Sequence, residues 1–144
     1  MDTPQRLYYR LGGAQVLREF VDNLYDFMDH FPAVETVRKM HAEDLSQTRD
    51  RVFMFLSGML GGPPLYVDAF GHPYLRRKHM HLKIGDQERD QWLFCAQNAA
   101  NQLDVSSEVR DELMSELTLM ADHLRNQGGT MSTQNGWRSD YNLH

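Results

Sequence analysis

Positive charge is in short supply in this chain. Its 15 Lys and Arg stand against 20 Asp and Glu, giving a net charge of −5 with histidine neutral. Gripping a phosphate backbone needs a basic field, so the balance argues against a general nucleic-acid binder. Cysteine is nearly absent. The single Cys95 cannot close an internal disulfide, and its apolar neighbours mark it as a small core residue in a reducing compartment. No apolar run approaches membrane-spanning length, and the opening MDTPQRLYYRLGG is polar and charged, unlike a signal peptide. The expectation is a cytoplasmic protein with neither a membrane nor a nucleic-acid partner. Sustained period-two alternation is missing too, and Asn135-Gly136 lies in a polar tail rather than between apolar runs, so strands are not expected. There are no internal repeats.

What remains is helical periodicity in a chain of 144 residues, 41% hydrophobic and long enough to bury one core. After Gly12-Gly13, the positions Leu17, Phe20, Val21, Leu24, Met28 and Phe31 recur at spacings of three and four, the signature of an amphipathic helix. Pro32 interrupts it, and a shorter segment continues through Val34, Val37 and Met40. Another helix starts near Asp44 or Ser46, both good caps, carries Val52, Phe55, Leu56, Met59 and Leu60, and stops at Gly61-Gly62-Pro63-Pro64. The stretch to Pro73 reads as an ordered loop, and a short helix then ends near Gly85. Asp86 is placed to cap a helix with Trp92, Cys95, Ala96, Ala99 and Leu103 on one side. Ser106 or Ser107 caps the last, whose stripe is Val109, Leu113, Leu117, Met120 and Leu124. The expected organisation is all-α: one domain over residues 1–127 and a polar, disordered tail over 128–144.

The segment GHPYLRRKHMHLKIG, residues 71–85, holds three histidines. Residues two apart on a helix point about 200° apart, so His79 and His81 cannot share a ligand. Leu75, His79 and Leu82 follow helical spacing, which turns His79 towards the core and leaves His81 with Arg77 and Lys78 on the polar side. An inward histidine has two readings. One is a buried imidazole bonded to a backbone carbonyl; the other is a metal ligand. Lys83 occupies the position four residues on, so a locally built zinc site is poorly supported. A metal that carries most of its own ligands, such as haem iron, needs only one protein nitrogen. An apolar lining is available in Phe20, Leu24, Phe53, Phe55, Leu56 and Met59. Tyr25, at the edge of the first helix's stripe, and Trp92 can supply donors on the opposite side.

Taken together, LYYRLGGAQVLREFVDNLYDFMDHFP, FLSGMLGGPPLY, GHPYLRRKHMHLKIG and ERDQWLFCAQNA resemble the truncated haemoglobins, specifically group II of that family, from about Leu7 to Leu124. The ordered combination of glycine pairs, GHPxLRxxH and a tryptophan thirteen residues after that histidine carries the likeness. The resemblance implies a two-over-two helical sandwich around haem b, with glycine pairs shaping the turns that flank the first long helix and the distal helix. It makes His79 the proximal iron ligand and Tyr25 the distal donor. Trp92 matches the family's distal tryptophan, and His41 a distal position of varying identity. Thr48 and Val52 would overlook the iron's free side. Arg76 is a candidate partner for a haem propionate, with His72, Tyr66 and Phe55 bordering the group. His41 or Tyr25 could supply an internal sixth ligand when no gas is bound. The function implied is reversible binding of O2, CO, NO or other small ligands. The alternative is a redox enzyme, an NO dioxygenase or peroxidase, whose reductase would be a separate partner because this chain has no flavin or nicotinamide domain.

Overall fold

The computed structural model describes residues 6–127, and among these every regular element is helical. They are α1 (Leu7–Leu11), α2 (Gly13–His30), a 3-10 turn (Pro32–Val34), α3 (Glu35–Arg38), α4 (Ser46–Met59), α5 (Leu65–Phe70), α6 (Leu75–His79), α7 (Asp86–Asn101) and α8 (Ser107–Leu124). The tail from residue 128, expected to be disordered, lies outside the described residues.

Four long helices make the frame. α2 packs on α4 and on α7, and α7 packs on α8, so two helix pairs lie across one another. The stripe read from the sequence is the seam: Leu17, Phe20, Val21 and Leu24 of α2 are fully buried, as are Cys95, Ala96 and Ala99 of α7 and Leu113 and Leu117 of α8. Alanines at the α7 crossing let the backbones approach. Fully burying a leucine or phenylalanine stabilises a fold by about 1.5–3 kcal/mol, so this seam dominates the energetics. Ion pairs then fix the register of neighbouring helices. Arg49 of α4 reaches Asp22 at 3.2 Å and Asp26 at 2.7 Å on α2, and Arg10 of α1 meets Glu112 of α8 at 2.8 Å.

The glycine pairs act as expected. Gly12 and Gly13 both hold positive φ, 125° and 77°, where the chain leaves α1 and turns into α2. Gly62 answers a different constraint: a Cβ there would lie 2.4 Å from the Tyr8 ring. Its neighbourhood is locked by Tyr8 N–H donating to the Leu60 carbonyl at 2.9 Å. This ties the first helix to the end of α4.

Several local details differ from the periodicity reading. The segment between Gly61 and Pro73 contains a short helix, α5, which its prolines and glycines hide from a pattern search. α6 ends at His79 rather than near Gly85; residues 80–81 form a turn and 83–85 carry no regular structure. Gly85, not Asp86, occupies the cap of α7, with the Glu88 carboxylate accepting from Gly85 N–H at 2.8 Å. Asp86 is left to pair with Arg125. Ser106 caps α8 as expected, accepting from Val109 N–H at 3.1 Å. No helix among the described residues is long and apolar enough to cross a membrane.

The Gly62 contact gives a direct check. Gly62→Ala forces the Tyr8 ring or the turn to move and is expected to cost about 2 kcal/mol, read as a lower urea midpoint. A midpoint unchanged from the parent would contradict the packing described.

Candidate functional site

α6 is a helix of five residues, and its last residue is His79. The residue before it in the cap position, Tyr74, has φ 46°, the one positive-φ non-glycine among the described residues. Such a conformation is strained for a bulky side chain and persists only where surroundings impose it. Here Tyr74 N–H donates to His72 Nδ1 at 3.0 Å, the two rings stand 4.2 Å apart, and Arg77 lies over the Tyr74 ring.

His79 Nδ1 lies 2.7 Å from the Leu75 carbonyl oxygen. A carbonyl only accepts, so Nδ1 carries the proton and the neutral ring keeps its lone pair on Nε2. Burial lowers the His79 pKa, the Leu75 bond works against that, and nearby His81 and Lys78 lower it further. The imidazole is therefore neutral at pH 7. His81 is exposed, as the helical spacing requires.

A second imidazole is arranged the same way. His41, in the turn after α3, has Nδ1 at 2.8 Å from the Val37 carbonyl, which again leaves the lone pair on Nε2. Burial lowers its pKa, the Val37 bond works against that, and nearby Arg38 and His79 lower it further. Beside His41 stands Tyr25 of α2, 1% exposed, with ring centroids 5.6 Å apart and edges towards faces. Burial pushes the Tyr25 phenol up to about 12, although the neighbouring Trp92 side chain pulls the other way. The indole N–H is a donor only, and the protonated phenol keeps its own O–H to donate.

Tyr25 of α2 and His41 of the turn after α3 thus stand ring to ring, with Trp92 of α7 acting on the phenol and His79 of α6 acting on His41. Thr48 and Val52 are half-buried one turn apart on α4, and Phe55 is buried one turn further on. Phe55 meets Tyr66 of α5 edge-on at 6.4 Å, and Lys78 of α6 donates to the Tyr66 hydroxyl. Phe20, Leu24 and Leu56 are buried behind this wall, with Phe53 and Met59 packed against it. His72 uses Nδ1 as an acceptor, so Nε2 carries a proton; that nitrogen is buried and has no hydrogen-bond partner. The Arg76 guanidinium donates to the His123 carbonyl at the end of α8.

One participant escapes the periodicity reading. Gln91 accepts from Val37 N–H at 3.0 Å, and Val37 in turn holds His41 through its carbonyl. α7 therefore contributes twice to the same cluster, through Gln91 and Trp92. A glutamine on a half-polar helix gives no signal of its own; only its place beside Trp92 points to it.

These residues fit a metal that brings its own equatorial ligands. The described residues hold no group of three or more His, Cys, Asp or Glu able to bind a bare ion. What they present is one neutral imidazole nitrogen, an aromatic and aliphatic wall, polar donors opposite, and an orphaned buried N–H at His72 that suits a carboxylate. Haem matches each of these.

Comparison with known proteins points the same way. The bacterial-like globin family model matches residues 6–126. The group 2 truncated hemoglobin YjbI of Bacillus subtilis is 34% identical over 119 residues, covering 83% of this chain and 88% of that protein. The solved group II 2-on-2 hemoglobin of Agrobacterium tumefaciens is 35% identical and superposes with a TM-score of 0.82, covering 89% of this chain and all of that one. The truncated oxygen-avid haemoglobin of Bacillus subtilis superposes at 0.76 with 32% identity, covering 85% of this chain and 100% of that one.

The buried phenol supplies a titration. In ultraviolet absorption at 295 nm, the difference between the parent and Tyr25→Phe is expected to stay flat through pH 10 and rise towards about 12, because burial disfavours the phenolate. A rise centred on 10 would place Tyr25 in water.

Proposed function

The chain belongs to the bacterial-like globin family, within it to the group II truncated haemoglobins, and from that premise we propose that it binds O2 reversibly on haem b held by His79, with Trp92 and Tyr25 donating to the ligand. Haem-based binding of small diatomic ligands comes with the family. When bound, haem supplies an iron with one position for a protein nitrogen and one for a gas molecule.

On the proximal side His79 offers Nε2. Its Nδ1–H bond to Leu75 fixes the ring's tautomer and orientation and makes the free nitrogen a better electron donor. On the distal side two protons are held ready. Trp92 N–H and Tyr25 O–H are those donors, both offered to the bound ligand. A phenol titrating at about 12 keeps that proton throughout the physiological range. His41 stands beside Tyr25 with Nε2 unprotonated, so it is an acceptor that can position the phenol, and the nitrogen that would serve as an internal sixth ligand. Thr48 and Val52 bound the free side, and the apolar wall around Phe55 excludes water, which strengthens hydrogen bonds within. His72 Nε2–H is assigned to a haem propionate, and Tyr66 with Lys78 to the same border. The place of Arg76 at the α8 terminus supports a role in holding α6 ahead of one on the propionate.

The observation that carries this reading is the His79 imidazole, its Nδ1 held 2.7 Å from the Leu75 carbonyl and its Nε2 left free for iron. The oxygen-avid relative from Bacillus subtilis supports O2 as the ligand. With the reading go CO and NO as further ligands, a cytoplasmic location, and a separate reductase wherever a bound ligand is consumed.

A hydrogen bond contributes about 1–1.5 kcal/mol, which corresponds to roughly ten-fold in a rate or equilibrium constant. Stopped-flow displacement of O2 by CO is expected to show dissociation about ten-fold faster in Trp92→Phe and in Tyr25→Phe. Rates equal to the parent in both would remove the distal pair from the function. In the ferric protein, any low-spin fraction without added ligand is expected to disappear in His41→Ala; its persistence would exclude histidine as the sixth ligand.

A further inference from the structure

We propose that Asn126, in the segment that follows α8, is a positioning residue for the proximal histidine, an inference that rests on the assignment of His79 as the haem ligand. α6 has five residues, too few to sustain a helix by its own hydrogen bonds, and the imidazole sits on its last one. Something outside the helix must therefore fix where His79 stands.

The turn beyond His79 shows what does. Leu82 N–H donates back to the His79 carbonyl at 3.0 Å, which closes one turn. The Asn126 side-chain amide then spans that turn. Its Nδ2 donates to the Leu82 carbonyl at 2.9 Å and, more weakly, to the His79 carbonyl at 3.4 Å. Its Oδ1 accepts from Ile84 N–H at 3.0 Å. The backbone completes the clamp: Asn126 N–H and Gln127 N–H both donate to the Ile84 carbonyl, at 2.7 and 3.0 Å. One primary amide thus offers a donor and an acceptor to backbone from residue 79 to residue 84, a pattern that neither alanine nor aspartate can reproduce in full.

The clamp is itself anchored. Arg125, 9% exposed, bonds to Asp86 at 2.7 Å and lies 3.5 Å from Asp122, which also meets Arg89 at 2.7 Å. These pairs tie the end of α8 to the start of α7. In the other direction, Arg76 of α6 donates to the His123 carbonyl, satisfying an orphan acceptor of the α8 terminus. α6 and the end of α8 therefore hold each other from both sides, and His79 lies between the two attachments.

The Leu75 carbonyl sets the tilt of the imidazole within the helix, and Asn126 sets where the helix end stands relative to the cavity. Residues that support a metal ligand from outside change metal affinity or activity by 10–100-fold when removed. In the full-length haem protein, reduced and without added ligand, resonance Raman is expected to show an iron–histidine band that shifts or broadens in Asn126→Ala. Haem transfer to excess apomyoglobin is expected to run about ten-fold faster in the same variant. Asn126→Asp, which keeps the acceptor for Ile84 N–H and loses both donated bonds, should fall between alanine and parent and serves where alanine impairs folding. Glu112→Ala is the control, since it removes the Arg10 ion pair further up α8 but leaves the clamp and its anchors in place, so its band should match the parent. An unchanged band in Asn126→Ala and Asn126→Asp, or an equal shift in Glu112→Ala, would overturn the proposal. A parent protein whose iron–histidine band survives His79→Ala would instead overturn the assignment beneath it.

Discussion

The site turns on one hydrogen bond, from His79 Nδ1–H to the Leu75 carbonyl at 2.7 Å. It decides which ring nitrogen carries the proton and which is free to bind. It also confines a side chain whose helix is barely longer than one turn. Burial supplies the other half of the constraint, because a desolvated imidazolium is unfavourable and the ring stays neutral. A neutral imidazole with its lone pair on Nε2 is what iron requires, and protein chemistry provides few other ways to guarantee it.

The distal side follows the same logic with a different outcome. Burial keeps Tyr25 protonated and disfavours a charge on His41, so both groups act as dipoles. Gln91 and Trp92 are adjacent on α7; Gln91 accepts from Val37 N–H of α3, and Trp92 acts on the tyrosine. The long helices thus act as supports, whereas the two carbonyl-held imidazoles sit on short elements, His41 in the turn after α3 and His79 at the end of α6. This division suits a site that must be accurate without a catalytic loop of its own.

Much of the frame is legible in the residues. The period of α2, α7 and α8 gives their buried faces, and the Leu75–His79 spacing separates the inward histidine from His81. The glycine pairs signal their turns, although residue type alone cannot say that Gly12 and Gly13 need positive φ while Gly62 needs the space beside Tyr8. Fold and cofactor became legible only through the resemblance of ordered motifs, since an apolar wall and a single histidine are common in ordinary cores. What stayed hidden depends on long-range backbone contacts. α5 lies in a segment whose prolines and glycines mask it. The Gln91–Val37 bond and the Asn126 clamp join polar residues to backbone groups 54 and 42–47 positions away, respectively, and no local period records such pairs.

The central claim is that a neutral His79 holds haem in this pocket, and the visible absorption spectrum of the purified protein tests it most directly. Spectra of the ferric, dithionite-reduced and CO-bound states would be recorded for the parent and for His79→Ala. The account predicts a Soret band in the parent that shifts on reduction and again with CO, and that is lost or altered in the variant. A colourless protein that stays folded and takes up no added haem, or a variant with an unchanged spectrum in all three states, would contradict it.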